Sequence, residues 1–490
     1  MKKIICTLLM CLILASAVSC NQGGEPIPSE SDGTDSINRG DELETNGQTA
    51  TDGSMSTDIQ TEKRTEKNTQ KQTEKSTQAP AERPTEPALD RDDKDEENKV
   101  VNTEYTALNY KDMKCMWLSQ FDLSPIYREN GIQRDAESFR ALMATVLDNV
   151  KESGINTVIL QLRPNADSMY PSEVYPPSAY VVGAYGREFS YDAVEIILEL
   201  AKERELSIHA WINPLRAMTD AQIGSVPRKY AIRKWYDDEY LNGKYIVKVN
   251  DNWYLNPAYA EVRELILQGA REIMESYDFD GLHMDDYFYP TTERSFDSAA
   301  YYQYFRENGK LAVADWRREN LNKLIREMYS LVKSAENGAL YGISPVGNWN
   351  NVYNSHCADM YTWCAEEGYI DYICPQVYFG MEHGSFDFVK TCLEWQSYIK
   401  NDNVKLIIGM SLGKAQSGTD NYAGDGKYEW RDNKDVLKRC LEYTKELERC
   451  VGVAYFCYQY FYDPITAEPN SATQEERDNF LPLLKDISWN

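Results

Sequence analysis

From residue 110 to residue 490, short apolar runs alternate with longer amphipathic stretches, and this alternation constrains the fold more than any other feature. Eight runs are each long enough for one strand: Lys114–Asp122, Asn156–Pro164, Leu206–Pro214, Phe279–Asp286, Leu340–Asn348, Ile370–Phe379, Val404–Gly413 and Val451–Phe461. The clearest helical stretches between them are Glu137–Gly154, Tyr191–Leu206, Ala260–Tyr277 and Glu319–Gly338. Strands that alternate with helices in this number predict a (β/α)8 TIM barrel. An open doubly wound sheet is the alternative, but the GxGxxG ligand loop typical of that fold does not follow the first run.

The predicted barrel domain, residues 110–490, is longer than the minimal barrel of about 250 residues. Some loops that follow strands must therefore carry insertions. The two longest candidates are Arg216–Ala258 and Tyr287–Asp315.

The first 19 residues read as a signal peptide that ends at a lipidation site. Lys2 and Lys3 precede an apolar run that is short for a membrane span, and small residues lead up to Cys20. This order resembles the bacterial lipobox, in which the cysteine is lipidated and becomes the new N-terminus. The alternative is an ordinary cleaved signal with an incidental Cys20.

Residues 20–105 are rich in Thr, Glu, Lys and Gln and poor in apolar side chains. Such a segment cannot bury enough apolar surface to offset its ordering entropy, so we expect a disordered linker. Together with a lipidated Cys20, it predicts a domain tethered outside the cytoplasmic membrane. The membrane would then be a partner only through the lipid anchor.

Charge and ligand chemistry exclude several classes of function. The chain has 78 acidic and 52 basic side chains, a net charge of −26, which argues against a nucleic-acid partner. Only four histidines are present, and neither HExxH nor a CxxC pair occurs, so we predict no metal site and no cofactor. The eight cysteines from Cys115 to Cys457 show no disulfide framework, and we interpret most of them as buried free thiols.

Polar residues collect where the apolar runs end, and in a TIM barrel the active site lies at the C-terminal ends of the strands. Amides, aromatic rings and charged groups at these ends suit a sugar, because hydroxyls need planar polar partners and pyranose faces stack on rings. The predicted substrate-binding residues at or near these ends are Gln161, Arg163, Asn213, Arg216, His283, Tyr287, Asn348, Gln376 and Tyr378. Trp211 is either a further member of this set or part of the core.

Several long stretches resemble the bacterial glycosyl hydrolase-like 10 family. They include "QLRPNADSMYPSEVYPPSAY", "HAWINPLRA", "WYLNPAYAEVRELI", "YDFDGLHMDDYFYP", "ADWRRENLNKLI", "GISPVGNWNN" and "IDYICPQVYFG". The resemblance covers nearly all of residues 110–490. It implies a TIM-barrel hydrolase that acts on glycosidic bonds of an exported polysaccharide, and some relatives are linked to cell-wall glycan strands.

Asp285 and Asp286 are the predicted catalytic residues, because glycoside hydrolysis commonly needs two carboxyl groups. "DGLHMD" also resembles the fourth strand of amylase-type barrels, whose final aspartate is the nucleophile and whose basic residue lies two places earlier. Those positions are Asp285 and His283 here, and alternation along a strand puts both side chains on one face. Asp286 is a partner that orients Asp285 or a neighbouring group, although the reverse assignment stays open. A turn or helix-capping role for the pair is the structural alternative.

The general acid is not evident from the sequence. Asp122, Asp167 and Glu382 each lie just past a strand, and each is also consistent with an ordinary loop carboxylate. An acetamido sugar could supply its own carbonyl as the nucleophile. The glutamate of chitinase-type strands is replaced by Tyr287 at the corresponding position.

Two interpretations of Arg163 and Arg216 are open: they anchor the barrel rim, or they bind a carboxylate-bearing sugar such as a uronate or a muramic acid.

The predicted function is hydrolysis of an exported or cell-wall polysaccharide. A catalytically silent barrel that only binds glycan is the alternative. A metal-dependent deacetylase is a third possibility, but it would need a cluster of His and Asp ligands.

Overall fold

A computed structural model describes residues 105–489, and eight parallel strands form a closed barrel in this part of the chain. The barrel strands are β1 (Met113–Leu118), β2 (Thr157–Arg163), β3 (Ser207–Ile212), β4 (Gly281–Met284), β5 (Leu340–Ile343), β6 (Tyr372–Ile373), β7 (Lys405–Ser411) and β8 (Cys450–Phe456). Each strand pairs with its neighbours in chain order, and β1 pairs with β8 to close the ring. Each predicted run overlaps one observed strand, so the predicted (β/α)8 TIM barrel is confirmed.

After each strand a helix packs outside the barrel, and further helices, such as Gln120–Tyr127 after β1 and Ala179–Val182 after β2, lie in the loops. The outer helices are α1 (Ala136–Glu152), α2 (Ala193–Glu203), α3 (Ala260–Ser276), α4 (Val313–Ser334), α5 (Met360–Ala365), α6 (Phe388–Tyr398), α7 (Val436–Tyr443) and α8 (Gln474–Asp486). The side chains of most barrel strands are buried throughout, as expected for parallel strands that are covered on both faces.

The sixth strand is much shorter than its apolar run. Regular pairing stops after Ile373, and Pro375 follows within two residues. Proline has no backbone N–H to donate to a neighbouring strand, so the ladder is interrupted there. Gln376 resumes contact with both neighbours through isolated bridges to Val346 and Gly409.

The two predicted insertions are folded. Residues 216–258 contain a three-stranded antiparallel sheet formed by Arg216–Thr219, Ile246–Val249 and Asn252–Leu255, with short helices Asp220–Ile223 and Ala231–Asp237. Residues 287–315 contain a 3₁₀ turn, Arg294–Phe296, and a helix, Ser298–Arg306, before α4 begins. Both insertions leave the barrel at the C-terminal ends of adjacent strands, β3 and β4.

The described chain enters at the opposite end of the barrel. Asp280, directly before β4, accepts hydrogen bonds from the hydroxyl of Tyr105 (2.6 Å) and from the backbone N–H of Leu108. Its second oxygen accepts from the N–H of Ile208 at the start of β3 (2.7 Å). The predicted signal peptide, Cys20 and the linker up to residue 104 lie outside the described residues.

A hydrogen-bonded chain of side chains runs through the barrel interior. Asn109 Nδ2 donates to two backbone carbonyls (3.0 and 3.1 Å), so its Oδ1 is the atom that accepts from His209 Nε2 (2.9 Å). Burial lowers the pKa of His209 to about 4, so the ring is neutral and its Nδ1 accepts from the Tyr372 hydroxyl (2.9 Å). That hydroxyl in turn accepts from His283 Nδ1 (2.9 Å). Burial, together with the neighbouring His209, lowers the pKa of His283 well below its ordinary value, so this ring is also neutral.

We expect Tyr372→Phe to lower the free energy of unfolding by about 2–4 kcal/mol, because both histidines lose a buried hydrogen bond and gain no water. Urea denaturation measures the effect. Tyr302→Phe is the matched control, since Tyr302 is 64% exposed and its substitution should change stability by less than about 0.5 kcal/mol. Equal stabilities of the two variants would contradict the hydrogen-bonded chain.

All eight cysteines of the described residues are buried and free, which confirms the interpretation of most of them as free thiols. Within residues 105–489, no helix is long and apolar enough to cross a membrane.

A buried carboxyl group joins the last two barrel helices. Glu476 of α8 is 2% exposed, and its Oε1 accepts a hydrogen bond from the N–H of Leu437 in the first turn of α7 (2.5 Å). Burial raises the pKa of Glu476 to about 7, from an ordinary value of 4.5. Between these pH values the folded protein keeps a proton that the unfolded chain has released, so the free energy of unfolding falls as the pH rises.

We therefore expect the free energy of unfolding of the wild type to fall by about 3 kcal/mol between pH 4.5 and pH 7 because of Glu476. This contribution should be absent in Glu476→Gln. Urea midpoints measured from pH 4.5 to pH 8 check the slope. Glu475→Gln, at the exposed neighbouring position, should keep the wild-type slope. Parallel curves for wild type and Glu476→Gln would refute the assignment.

Candidate active site

Asp285 lies directly after β4 at the C-terminal rim of the barrel. It is 2% exposed, and its Oδ2 accepts hydrogen bonds from Trp211 Nε1 (3.0 Å) and Asn213 Nδ2 (2.5 Å). Its Oδ1 accepts from the backbone N–H of Tyr287 (3.2 Å). These three N–H donors hold the Asp285 carboxyl group in one orientation at the rim.

The donor Asn213 is itself oriented by a chain of amides. Gln120 N donates to Gln161 Oε1 (2.5 Å), and Gln161 Nε2 donates to Asn213 Oδ1 (2.7 Å). Because a backbone N–H can only donate, this first contact fixes the direction of both side-chain amides. Asn213 is therefore forced to present its Nδ2 to Asp285. The ends of β1, β2, β3 and β4 are thus joined at one side of the rim.

Arg163 binds the backbone of the turn that follows β3 and contains Asn213. Its guanidinium is 1% exposed and donates to the carbonyls of Asn213 (2.6 Å) and Pro214 (3.0 Å) and to the hydroxyl of Tyr175 (2.9 Å). These contacts favour the anchoring interpretation of Arg163 over direct sugar binding. Its partners are carbonyls and a hydroxyl rather than the carboxylate of a salt bridge.

Arg216 and Tyr287, from the loops after β3 and β4, stack on each other. The Arg216 guanidinium carbon lies 4.7 Å from the centre of the Tyr287 ring, and both side chains are half-buried. This is a cation–π contact between the two loops.

Asp286 is half-buried and approaches the end of β6. Burial raises the pKa of Tyr378 well above its ordinary value, and the charge of Asp286 is among the further causes. The ring of Tyr378 stacks against Phe456, with centroids 5.9 Å apart, so the end of β8 adjoins the same region. The orientation of Asp286 relative to Asp285 stays a prediction, because β4 ends at Met284, before both aspartates.

The remaining predicted binding residues have mainly internal contacts. His283 is fully buried inside the barrel, where its ring meets Trp117 edge-on at 6.0 Å. Gln376 Nε2 donates to the carbonyl of Ser344 (3.0 Å). Asn348 Oδ1 accepts from the N–H groups of two following residues (3.2 and 3.4 Å), which is a turn-stabilising contact. Direct sugar contact by these three side chains stays a prediction.

Two of the three candidates for the general acid, Asp122 and Asp167, are buried and accept hydrogen bonds. Asp122 is fully buried, accepts from Ser119 and from Gln459 N (2.7 Å), and burial raises its pKa to about 6. Asp167 is also fully buried, accepts from Asn165 N (2.8 Å) and the Tyr185 hydroxyl (2.9 Å), and burial raises its pKa. Glu382 is exposed. Their surroundings favour the structural reading of Asp122 and Asp167.

The sequence pattern did not indicate Gln120, and it left Trp211 consistent with either the core or the site. Trp211 is both core and site, since it is 5% exposed and its indole N–H reaches Asp285. Gln120 lies two residues after β1, but its contact with Gln161 is made by its backbone N–H, which a pattern of polar side chains does not reveal. Among residues 105–489, no group of three or more His, Cys, Asp or Glu side chains could hold a metal ion.

The matching family model and two relatives of this chain are described as glycosyl hydrolase-like or glycosyl hydrolases. The family model described as glycosyl hydrolase-like 10 matches residues 112–423. Glycosyl hydrolase YngK of Bacillus subtilis is 30% identical over 329 residues, which are 64% of this chain and 61% of YngK, so the chain spans less than two thirds of that relative. Glycosyl hydrolase DigH of Escherichia coli K12 is 27% identical over 396 residues, which are 75% of this chain and 88% of DigH.

Solved structures with a similar course of the chain include two sugar-active domains. The glycoside hydrolase domain of PgaB (BpsB) from Bordetella bronchiseptica has a TM-score of 0.48 and 13% identity, over 77% of this chain and 99% of that one. The catalytic domain of β-amylase from Paenibacillus polymyxa has a TM-score of 0.48 and 10% identity, over the same shares.

Proposed function

Because this chain belongs to the glycosyl hydrolase-like 10 family, we propose that it hydrolyses glycosidic bonds of an exported or cell-wall polysaccharide. The observation that carries the proposal is the setting of Asp285. Its carboxylate lies at the C-terminal end of β4 and receives three N–H donors, and a second carboxyl group follows at the next residue. Carboxyl groups in such a place supply the acid and base chemistry of glycoside hydrolysis.

In this mechanism Asp285 acts as the ionised carboxylate, either as nucleophile or as the base that activates water. Asp286, which is less buried, is the second carboxyl group and serves as proton donor to the leaving oxygen. The bond between the anomeric carbon and the glycosidic oxygen breaks, that oxygen takes the proton, and water adds to the anomeric carbon. Arg216 then provides the positive charge for a carboxylate-bearing sugar, such as the muramic acid of peptidoglycan.

A glycan-binding protein without catalysis is the second candidate. The observation in its favour is that Asp122 and Asp167 are buried and accept several hydrogen bonds each, while Glu382 is exposed to solvent. Both candidates predict sugar binding, and only hydrolysis creates new reducing ends.

The place of action belongs to the same proposal. The apolar N-terminal run and Cys20 support export and lipid anchoring, and the residues that follow support a flexible tether. A barrel held outside the cytoplasmic membrane would meet cell-wall glycan directly.

The test is the release of reducing ends by the purified protein from peptidoglycan glycan strands and, in parallel, from chitin oligosaccharides, which lack carboxylates. We expect hydrolysis of the glycan strands and a lower kcat/KM on chitin oligosaccharides. Binding to either glycan without release of reducing ends would establish the second candidate. Equal rates on both substrates would remove the role proposed for Arg216.

A further inference from the structure

A cavity opens between the two segments inserted at the barrel rim. Its volume is about 410 Å³, within the range of small-molecule sites. One wall is the antiparallel sheet inserted after β3, and the other is the 3₁₀ turn inserted after β4. The residues that line it include Asn242, Lys248, Trp253, Glu293, Ser295 and Phe296.

This cavity lies on the same face of the barrel as Asp285. Its walls belong to the loops that follow β3 and β4, and these paired strands supply Asn213 and Asp285. The sheet also contacts the catalytic loop, since Leu215 N donates to the Tyr287 carbonyl (3.3 Å) and Leu255 N donates to the Leu215 carbonyl (2.8 Å). A chain molecule bound at Asp285 can therefore continue along the rim towards the cavity.

The wall after β4 is held rigidly. The Arg317 guanidinium binds both oxygens of Asp297 at 2.8 Å, and both side chains are almost completely buried. The same guanidinium donates to the carbonyls of Thr291 (3.0 Å) and Glu293 (2.7 Å), which flank the cavity. A preformed wall of this kind lowers the ordering cost of binding.

The opposite wall is fixed by Asp220. This carboxylate accepts from Trp253 Nε1 and from Lys248 Nζ, two groups that belong to residues lining the cavity. The Lys248 and Asp220 side chains are 40% and 46% exposed, so this wall is held less firmly than the wall at Arg317.

The lining has the composition that a sugar requires. Five polar side chains line it, and they supply amide, ammonium, hydroxyl and carboxylate groups: Asn242, Lys248, Thr291, Glu293 and Ser295. The rings of Trp253 and Phe296 also belong to the lining but are only 7% and 2% exposed. Hydroxyls of a pyranose can pair with the polar groups, which a cavity for a wholly apolar ligand would lack.

We infer that this cavity is a distal subsite that binds a sugar unit of a polymeric glycan whose scissile bond lies at Asp285, an inference that rests on the proposed function. The enzyme then acts on chains long enough to occupy both positions. Short fragments reach Asp285 without the distal contact and bind more weakly.

Binding in the Asp285→Asn background tests the subsite without turnover. The probes are peptidoglycan glycan strands and the disaccharide unit derived from them, and titration calorimetry gives their affinities. We expect the long strands to bind at least about tenfold more tightly than the disaccharide. Adding Ser295→Trp fills the cavity from an exposed position and should abolish this preference for length.

The matched control is Ser330→Trp, also at an exposed serine, which fills a different cavity of about 880 Å³ between α3 and α4 on the outside of the barrel. It should keep the preference for long strands. Lys248→Gln, which alters the other wall, is a second variant and should reduce the preference. Thermal unfolding verifies that each variant is folded.

Retention of the length preference in Ser295→Trp and Lys248→Gln would overturn the distal subsite while leaving hydrolysis at Asp285 intact. Absence of reducing-end release by the wild type, with length-dependent binding preserved, would instead overturn the proposed function and support the subsite. Equal affinity for long and short probes in the unmodified cavity would overturn the inference directly.

Discussion

Asp285→Asn is expected to lower glycan hydrolysis on the order of 10³-fold or more, with the barrel still folded. Asparagine is neutral and cannot act as nucleophile or base at this position. Its NH₂ group also faces one of the N–H donors that now bind the carboxylate, so we expect a stability loss of about 1–2 kcal/mol. Reducing-end release from glycan strands measures the activity, and urea denaturation measures the stability.

The matched control for this variant is Asp280→Asn. Asp280 is 3% exposed and accepts from three donors, as Asp285 does, but it precedes β4 at the opposite end of the barrel. Asp280→Asn should lose about as much stability as Asp285→Asn but hydrolyse glycan at the wild-type rate. Full activity in Asp285→Asn would remove Asp285 from the mechanism, and inactivity of both variants would show that folding, not chemistry, was measured.

Arg317→Met is expected to lower the free energy of unfolding by about 3–5 kcal/mol, because Asp297 is left buried without its partner. The side chains of this pair are 2% and 1% exposed, so water cannot replace the lost contacts. The carbonyls of Thr291 and Glu293 also lose their donor. Urea denaturation measures the change.

Two further variants separate the buried ion pair from general effects of losing an arginine. Arg317→Met combined with Asp297→Leu removes both charges and should recover much of the lost stability. Arg140→Met removes an exposed ion pair with Glu199 and should cost no more than about 1 kcal/mol. Similar losses in Arg140→Met and Arg317→Met would contradict the argument from burial.

The sequence allowed the barrel and the position of Asp285 to be predicted because both depend on local patterns. Alternation of apolar strands and amphipathic helices is visible over a few residues, and so is a charged pair at the end of an apolar run. The shortening of β6 is also a local effect, and the proline in its run could have indicated it.

Contacts between distant residues could not be predicted in the same way. Arg163 was equally consistent with sugar binding and anchoring, because the choice depends on the carbonyls of Asn213 and Pro214, which lie 50 and 51 residues away in sequence. The indole N–H of Trp211 reaches Asp285 from 74 residues away. The Arg317–Asp297 pair joins the insertion after β4 to the helix α4 that follows it. The local sequence around either residue does not indicate its partner.

The attachment of Tyr105 and Leu108 at Asp280 has a consequence for access to a large, immobile substrate. The chain before Tyr105 therefore joins the domain at the end of the barrel remote from Asp285. This point of attachment leaves the rim that carries Asp285 open to a bulky polymer.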